Sequence, residues 1–249
     1  MPVVTVSGKL AGGAREVGEA AAAVLGIDFV DQRLLVEAAQ RCGVSIETVA
    51  EHDERRPGFR ERLAETMRIF LERSATAGID PATGSVGLEG LLSRTYVEMA
   101  GERGEEPHLT DARYLETMSD IIRELGGRGG IVILGRGSQM ILRDRPGALH
   151  VLCRAPDEVR IERLAQRDGI SQEEAAHQAS ERERGRAAFH RKFWKVDVED
   201  PGLYDLTIDT SGLTFQVAAE VVATAARAKE ATAGEGARLG PDGLLQGVQ

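Results

Sequence analysis

Short β-branched runs recur along this chain, and each is followed by a turn and then by a helix-forming stretch. Val3 to Val6 leads into Ser7-Gly8 and a loop holding Gly12-Gly13, and Arg15 to Leu25 then reads as an Ala-rich helix stopped by Gly26. Asp28 to Val30 is a second strand, with a helix predicted over Asp31 to Arg41 that places Leu34, Leu35, Ala38 and Ala39 on one face. Ile131 to Leu134 is apolar throughout, as a strand buried on both faces would be, and ends in Gly135-Arg136-Gly137. Leu149 to Leu152 is another strand, and a helix over Asp157 to Gln166 follows Pro156. Ser171 with Glu174 makes a capping box for the next helix, which carries through residues 180–193. Leu206 to Ile208 is the last strand, and Leu213 to Lys229 a closing amphipathic helix. Strands alternating with helices predict an α/β fold, a parallel sheet flanked by helices. Ligands of such sheets bind outside the carboxyl ends of the strands. The residues that matter most are therefore Ser7 to Arg15, Asp31, Gly135 to Gly137, Arg154, and Asp209-Thr210-Ser211.

Residues 45–125 read as mostly helical, with a loop over Thr76 to Gly90 and a polar break at Glu102 to Pro107. Ala231 to Gln249 carries five glycines and little apolar mass, and is expected to be a disordered tail. The 249 residues suit one large domain, or one with an insert. No apolar stretch reaches the ~18 residues of a membrane span, and the opening Met-Pro-Val-Val-Thr-Val has no secretory pattern. Cys42 and Cys153 make neither a disulfide framework nor a metal site by themselves, so a cytoplasmic location is expected. The net charge of −9 argues against a nucleic-acid-binding surface.

The first loop reads SGKLAGGAREVG. A glycine-rich turn between a strand and a helix lets backbone N–H groups converge on an anion at the positive end of the helix dipole. A basic side chain at the helix start, here Arg15, would reach the outer phosphates. Against the pattern G-x-x-x-x-G-K-[ST], Arg15 stands for the lysine, Ala14 for the last glycine, Glu16 for the magnesium-binding hydroxyl, and Lys9 for the first glycine, with Gly8 beside it. A turn that merely lets helix pack on strand would read similarly. Arg136 offers a planar fork at a strand's carboxyl end, suited to a phosphate or to a surface ion pair.

Arg182, Arg184, Arg186, Arg191, Lys192 and Lys195 face a single acid, Glu183, in a segment of net charge +5. Arg182 and Arg186 are four residues apart on one helix face. The segment reads either as a stretch that closes over a polyphosphate or as a solvated helix face. Phe189, Phe193 and Trp194 are better placed to anchor it than to stack on a base. His150 reads as a packing residue, and the other histidines show no metal spacing. Asp31 and Asp209 each follow a strand and are either magnesium- or substrate-binding carboxylates or helix caps.

Five phrases in order resemble the cytidylate kinase-like family, a branch of the P-loop nucleoside monophosphate kinases: the loop Ser7 to Gly18, Phe29-Val30-Asp31-Gln32-Arg33-Leu34-Leu35, Val132 to Gly137, the strand and Arg-rich helix Leu149 to Arg163, and Tyr204 to Ser211. The resemblance implies a P-loop NTPase fold: a five-stranded parallel sheet, a helical monophosphate-binding insert over about residues 45–125 and a lid over about 180–200. It implies ATP and Mg2+, and phosphoryl transfer to a nucleoside monophosphate such as CMP or dCMP. On that resemblance Gly8, Lys9, Ala11, Gly12, Gly13, Ala14, Arg15, Glu16 and Arg191 bind the nucleotide. The same resemblance implies that Arg15, Arg182 and Arg186 are catalytic and that Asp31, Arg33, Gly135 and Arg136 hold the acceptor. Gly137 stands where the classical enzymes have an Asp, and Glu37 where they have a CMP-binding Arg. The alternative is a catalytically inactive nucleotide-binding protein, a sensor or assembly partner, on the same fold. The helical insert could carry a homodimer contact, and neither nucleic acid nor membrane is expected as a partner.

Overall fold

The computed structural model describes residues 1–35, 63, 109–234, 238–239 and 245–246. The chain divides into two compact units, one made of Met1–Phe29, Gly129–Ala179 and Glu199–Gln249, the other of Val30–Arg128 and Ser180–Val198. The helix expected beyond residue 35, most of the expected insert, the Thr76 to Gly90 loop and the Glu102 to Pro107 break lie outside the described residues.

Five strands, β1 (Val3–Gly8), β2 (Asp28–Val30), β3 (Ile131–Leu134), β4 (Ala148–Arg154) and β5 (Leu206–Asp209), form a sheet in the order β2-β3-β1-β4-β5. Successive residues of β1, β3 and β4 are buried, so both faces of the central sheet are covered. β1 is central and parallel to β3 and β4, with Thr5 beside His150 and Gly8 beside Cys153. β4 pairs parallel with β5, and Arg154 is level with Asp209. The polar residues singled out after β1, β3, β4 and β5 thus gather at one edge of the sheet.

Helix α1 (Ala14–Leu25) lies against α6 (Phe215–Gly234) through small side chains, Ala21 and Ala22 on one and Ala218, Ala219 and Ala226 on the other. Alanines let two helices approach closely at little cost in side-chain entropy. The closing helix runs to Gly234, past the expected Lys229, because Ala223 to Ala233 is a strong helix-forming stretch. Arg238–Leu239 (β6) also pairs antiparallel with Leu245–Gln246 (β7), where the composition predicts a disordered tail. The expectation of disorder from Ala231 is corrected to that extent.

The first unit further contains α3 (Ser138–Ile141) and α4 (Asp157–Asp168). Helix α5 (Gln172–Trp194) begins in the first unit and ends in the second, and its capping serine is present, with Ser171 Oγ accepting from Glu174 N–H at 3.1 Å. In the second unit α2 (Leu109–Arg128) buries Tyr114, Met118, Ile121, Ile122 and Leu125, a helical apolar stripe. Phe189 is fully buried and packs edge-on to Tyr114, Phe193 and Trp194 at ring separations of 6.3, 4.8 and 5.5 Å. These aromatics anchor the basic segment.

His150 is a packing residue. Its ring shares a 2.8 Å hydrogen bond with Thr5 Oγ1, and the backbone N–H of His150 donates to Asp205 Oδ2 at 2.8 Å. Burial, against the pull of Asp205, lowers its pKa to about 4, and burial lowers that of His190 to about 4 as well. Both histidines are then neutral in the folded chain at pH values where the unfolded chain is protonated. The stability they confer is complete above pH ~6.5 and is lost as the pH falls toward 4. The melting temperature is expected to fall between pH 7 and pH 5, and to fall less in His150→Gln; an equal fall in that variant would contradict the assignment.

Candidate functional site

The glycine loop, residues 8–13, joins the carboxyl end of β1 to the start of α1. Gly8 sits where a Cβ would come within 2.7 Å of Cys153 O and 3.0 Å of Ala14 Cβ, so the loop leaves the sheet in a channel open only to glycine. The loop closes with Gly12 N–H donating to Lys9 O at 2.9 Å. Gly13, at φ +83°, is the N-cap of α1, and no side chain caps the helix. With no side-chain cap there, the positive end of the helix dipole faces the loop. Ala11 is also left-handed, at φ +57°, a conformation that costs a residue with a Cβ about 1 kcal/mol. Leu10 and Ala11 pack against Leu164, Ala175 and Ala179, which pins the tip of the loop.

Arg15 lies in the first turn of α1, with Nη1 2.9 Å from Glu19 Oε1 and its guanidinium 5.9 Å from the centre of the Phe29 ring. Glu16 is on the same turn, and burial together with Glu16's charge pushes the Cys153 thiol up to about 12, so that thiol stays protonated.

At the end of β3, Gly135, Arg136 and Gly137 are all left-handed, at φ +68°, +57° and +69°. Gly135 N–H donates to Val6 O at 2.9 Å, which ties the turn to the strand carrying the glycine loop. Arg136 is buried, at 4% exposure. It is thus a buried cation on a left-handed backbone at the carboxyl end of β3. Asp209, at the end of β5, turns Oδ1 into Ser211, accepting from its hydroxyl at 2.6 Å and its N–H at 2.8 Å. Those bonds, with the charges of Arg154 and Arg163 nearby, hold its carboxyl below the usual range.

Gly8, Lys9, Ala11, Gly12, Gly13, Ala14, Arg15, Glu16, Gly135 and Arg136 all fall in the first unit, and the structure brings the loop and the Arg136 turn to the same edge of one sheet. Arg182, Arg186, Arg191, Asp31 and Arg33 fall in the second unit. There Asp31 is an N-cap: its Oδ1 accepts from Leu34 N–H at 2.9 Å, and it is 4% exposed. Arg33 is exposed on the helical turn that follows. Arg182 and Arg191 are exposed on α5, whereas Arg186 is buried, its carbonyl bonded to the His190 ring at 2.9 Å.

Two arginines missed in the sequence stand behind the glycine loop. Arg160, 2% exposed, donates to Leu10 O at 3.0 Å and to Asp157 Oδ1 at 2.6 Å. Arg163 donates to Thr210 Oγ1 at 2.9 Å and Thr210 O at 2.7 Å, and Thr210 Oγ1 donates to Gly12 O at 3.1 Å. The available signal was Arg160 lying four residues before Leu164, within the buried stripe of its helix.

A five-stranded parallel sheet with a glycine loop and an uncapped helix at its carboxyl edge defines an α/β phosphate-binding protein of the P-loop kind. The cytidylate kinase-like family model matches residues 3–212, and the chain belongs to that family. It is accordingly a kinase-like phosphotransferase. The chain is 32% identical over 156 residues to a cytidylate kinase of Aeropyrum pernix, covering 61% of this chain and 81% of that protein. It is 28% identical over 171 residues to a cytidylate kinase of Methanocaldococcus jannaschii, covering 60% and 95%. In fold it is similar to a crystal structure of an uncharacterized protein from Eubacterium ventriosum, with a TM-score of 0.57, 14% identity, and 91% and 98% coverage. The inactive alternative is not favoured by these relatives. Among the described residues no helix is long and apolar enough to cross a membrane, and no three metal-ligating side chains cluster.

Proposed function

We propose that this protein transfers the γ-phosphoryl group of ATP to CMP or dCMP. The observation that carries the reading is the uncapped N-terminus of α1 behind a glycine loop, at the edge of the sheet where Arg136 also stands. An oxygen of the acceptor phosphate attacks the γ-phosphorus, the bond to the β–γ bridging oxygen breaks, and ADP leaves. Such a reaction needs positioning and charge neutralisation more than covalent help. In this reading the N–H groups of Ala11 and Gly13 and of the start of α1 cradle the triphosphate, Arg15 swings from Glu19 to the outer phosphates, and Arg136 grips the acceptor phosphate. Arg182, Arg186 and Arg191 are proposed to neutralise the transferring group, and Asp31 and Arg33 to lie on the acceptor side. A glycine-rich turn at a helix start suits the charge of a triphosphate. Mg2+ would enter as the ion the triphosphate carries, with Asp209 a carboxylate at that edge of the sheet.

The names of the relatives support a nucleoside monophosphate as acceptor. Arg136→Ala tests the assignment: the KM for CMP is expected to rise about tenfold to a hundredfold, as for loss of a charge-assisted contact, with the KM for ATP within threefold of the parent. A KM for CMP unchanged in that variant would remove Arg136 from the acceptor site.

A further inference from the structure

A loop that grips an anion through backbone N–H groups must turn its carbonyl oxygens away from that anion. In a trans peptide the C=O of one residue and the N–H of the next point in opposite directions. A donor that holds one carbonyl from behind therefore aims the following N–H forward. Behind this loop, Leu10 O is held by Arg160 Nη1 at 3.0 Å and Gly12 O by Thr210 Oγ1 at 3.1 Å. The N–H groups that follow are those of Ala11 and Gly13.

Both donors are fixed. Arg160 is 2% exposed, and its other terminal nitrogen is held by Asp157 at 2.6 Å. Thr210 is fully buried and receives two bonds from the Arg163 guanidinium, which also lies 5.1 Å from the centre of the Phe215 ring. A guanidinium only donates, so the bond from Arg163 uses a lone pair of Thr210 Oγ1. Its single proton is left for a carbonyl, either Gly12 O or Arg154 O, the latter at 3.3 Å. The left-handed turn at Ala11 is held between these two anchors.

We infer that Arg160 and Thr210 are positioning residues, which hold the Leu10 and Gly12 carbonyls behind the loop and thereby aim the Ala11 and Gly13 N–H groups at a bound polyphosphate. This rests on the reading of the loop as a triphosphate site.

Titration calorimetry of the full chain with ATP, and separately with tripolyphosphate, tests it. Thr210→Val keeps the shape and removes the hydroxyl. It is expected to raise both Kd values about tenfold, the scale of one lost hydrogen bond to a partner left unsatisfied, at unchanged stoichiometry. Thr210→Ser is expected to restore both to within about threefold of the parent. Arg160→Lys keeps the charge but loses the fork, and is expected to weaken both ligands similarly. Parent-like Kd values in Thr210→Val and Arg160→Lys would overturn the inference. So would a lowered stoichiometry with unchanged Kd, the signature of a purely structural role. If the parent binds neither ligand, the triphosphate reading itself falls and takes the inference with it. If the parent binds both and Arg15→Ala weakens them while Thr210→Val does not, the inference alone falls.

Discussion

Arg15→Ala is expected to lower kcat/KM for ATP by on the order of 10²–10³-fold, the scale seen when one preorganised donor to a developing charge is removed. It is also expected to leave the melting temperature unchanged or slightly raised. Arg15 is a cation in the first turn of a helix, where the dipole disfavours it. Its bond to Glu19 joins two side chains that are 38% and 46% exposed, a kind of pair that contributes little to stability. The Phe29 ring 5.9 Å from its guanidinium adds a weak cation–π contact, and an anion at the helix end would favour an arginine there. Steady-state kinetics with a thermal melt on the same sample separate the two effects. Unchanged kinetics would remove Arg15 from the phosphate site.

Gly13→Ala is expected to do the reverse and damage the fold along with the site. At φ +83° an alanine is strained, and its Cβ would come within 2.9 Å of Thr210 Cγ2, Thr210 Oγ1 and Phe215 Cε1. Strain and overpacking together are expected to cost about 3 kcal/mol, a fall of about 10 °C in melting temperature for a chain of this size. Nucleotide binding is expected to be lost with it, because the N-cap and the Thr210 anchor meet at this residue. Gly127→Ala is the control. Its Cβ would meet nothing within 4 Å, and it lies in helix α2, so the melting temperature is expected to hold or rise. A parent-like melt for Gly13→Ala would contradict the loop geometry.

The alternation of strand and helix was legible because Val, Ile and Ala mark their periods plainly. β3 falls on Ile131–Leu134 and β2 on Asp28–Val30, as the run lengths predict. The glycine loop and the Arg136 turn were legible because residues at the carboxyl ends of parallel strands meet at one edge. The spatial strand order was not, since β1 finds β3 across more than a hundred intervening residues and no local pattern encodes that partner. Asp31 reads equally as ligand or cap until the Leu34 N–H is seen on its carboxylate. Arg160 was obscured by its type. Charged residues are expected at the surface, and the bonds to the carbonyl of Leu10 and the carboxylate of Asp157, which help to satisfy a guanidinium at 2% exposure, are not encoded in any local pattern.

A coupled ADP-release assay tests the central claim most directly, with Mg-ATP against CMP, dCMP, UMP, AMP and GMP and with Arg15→Ala as control. Release that depends on CMP or dCMP and collapses in the variant is the expected result. Measurable ATP binding with no release for any monophosphate would contradict it.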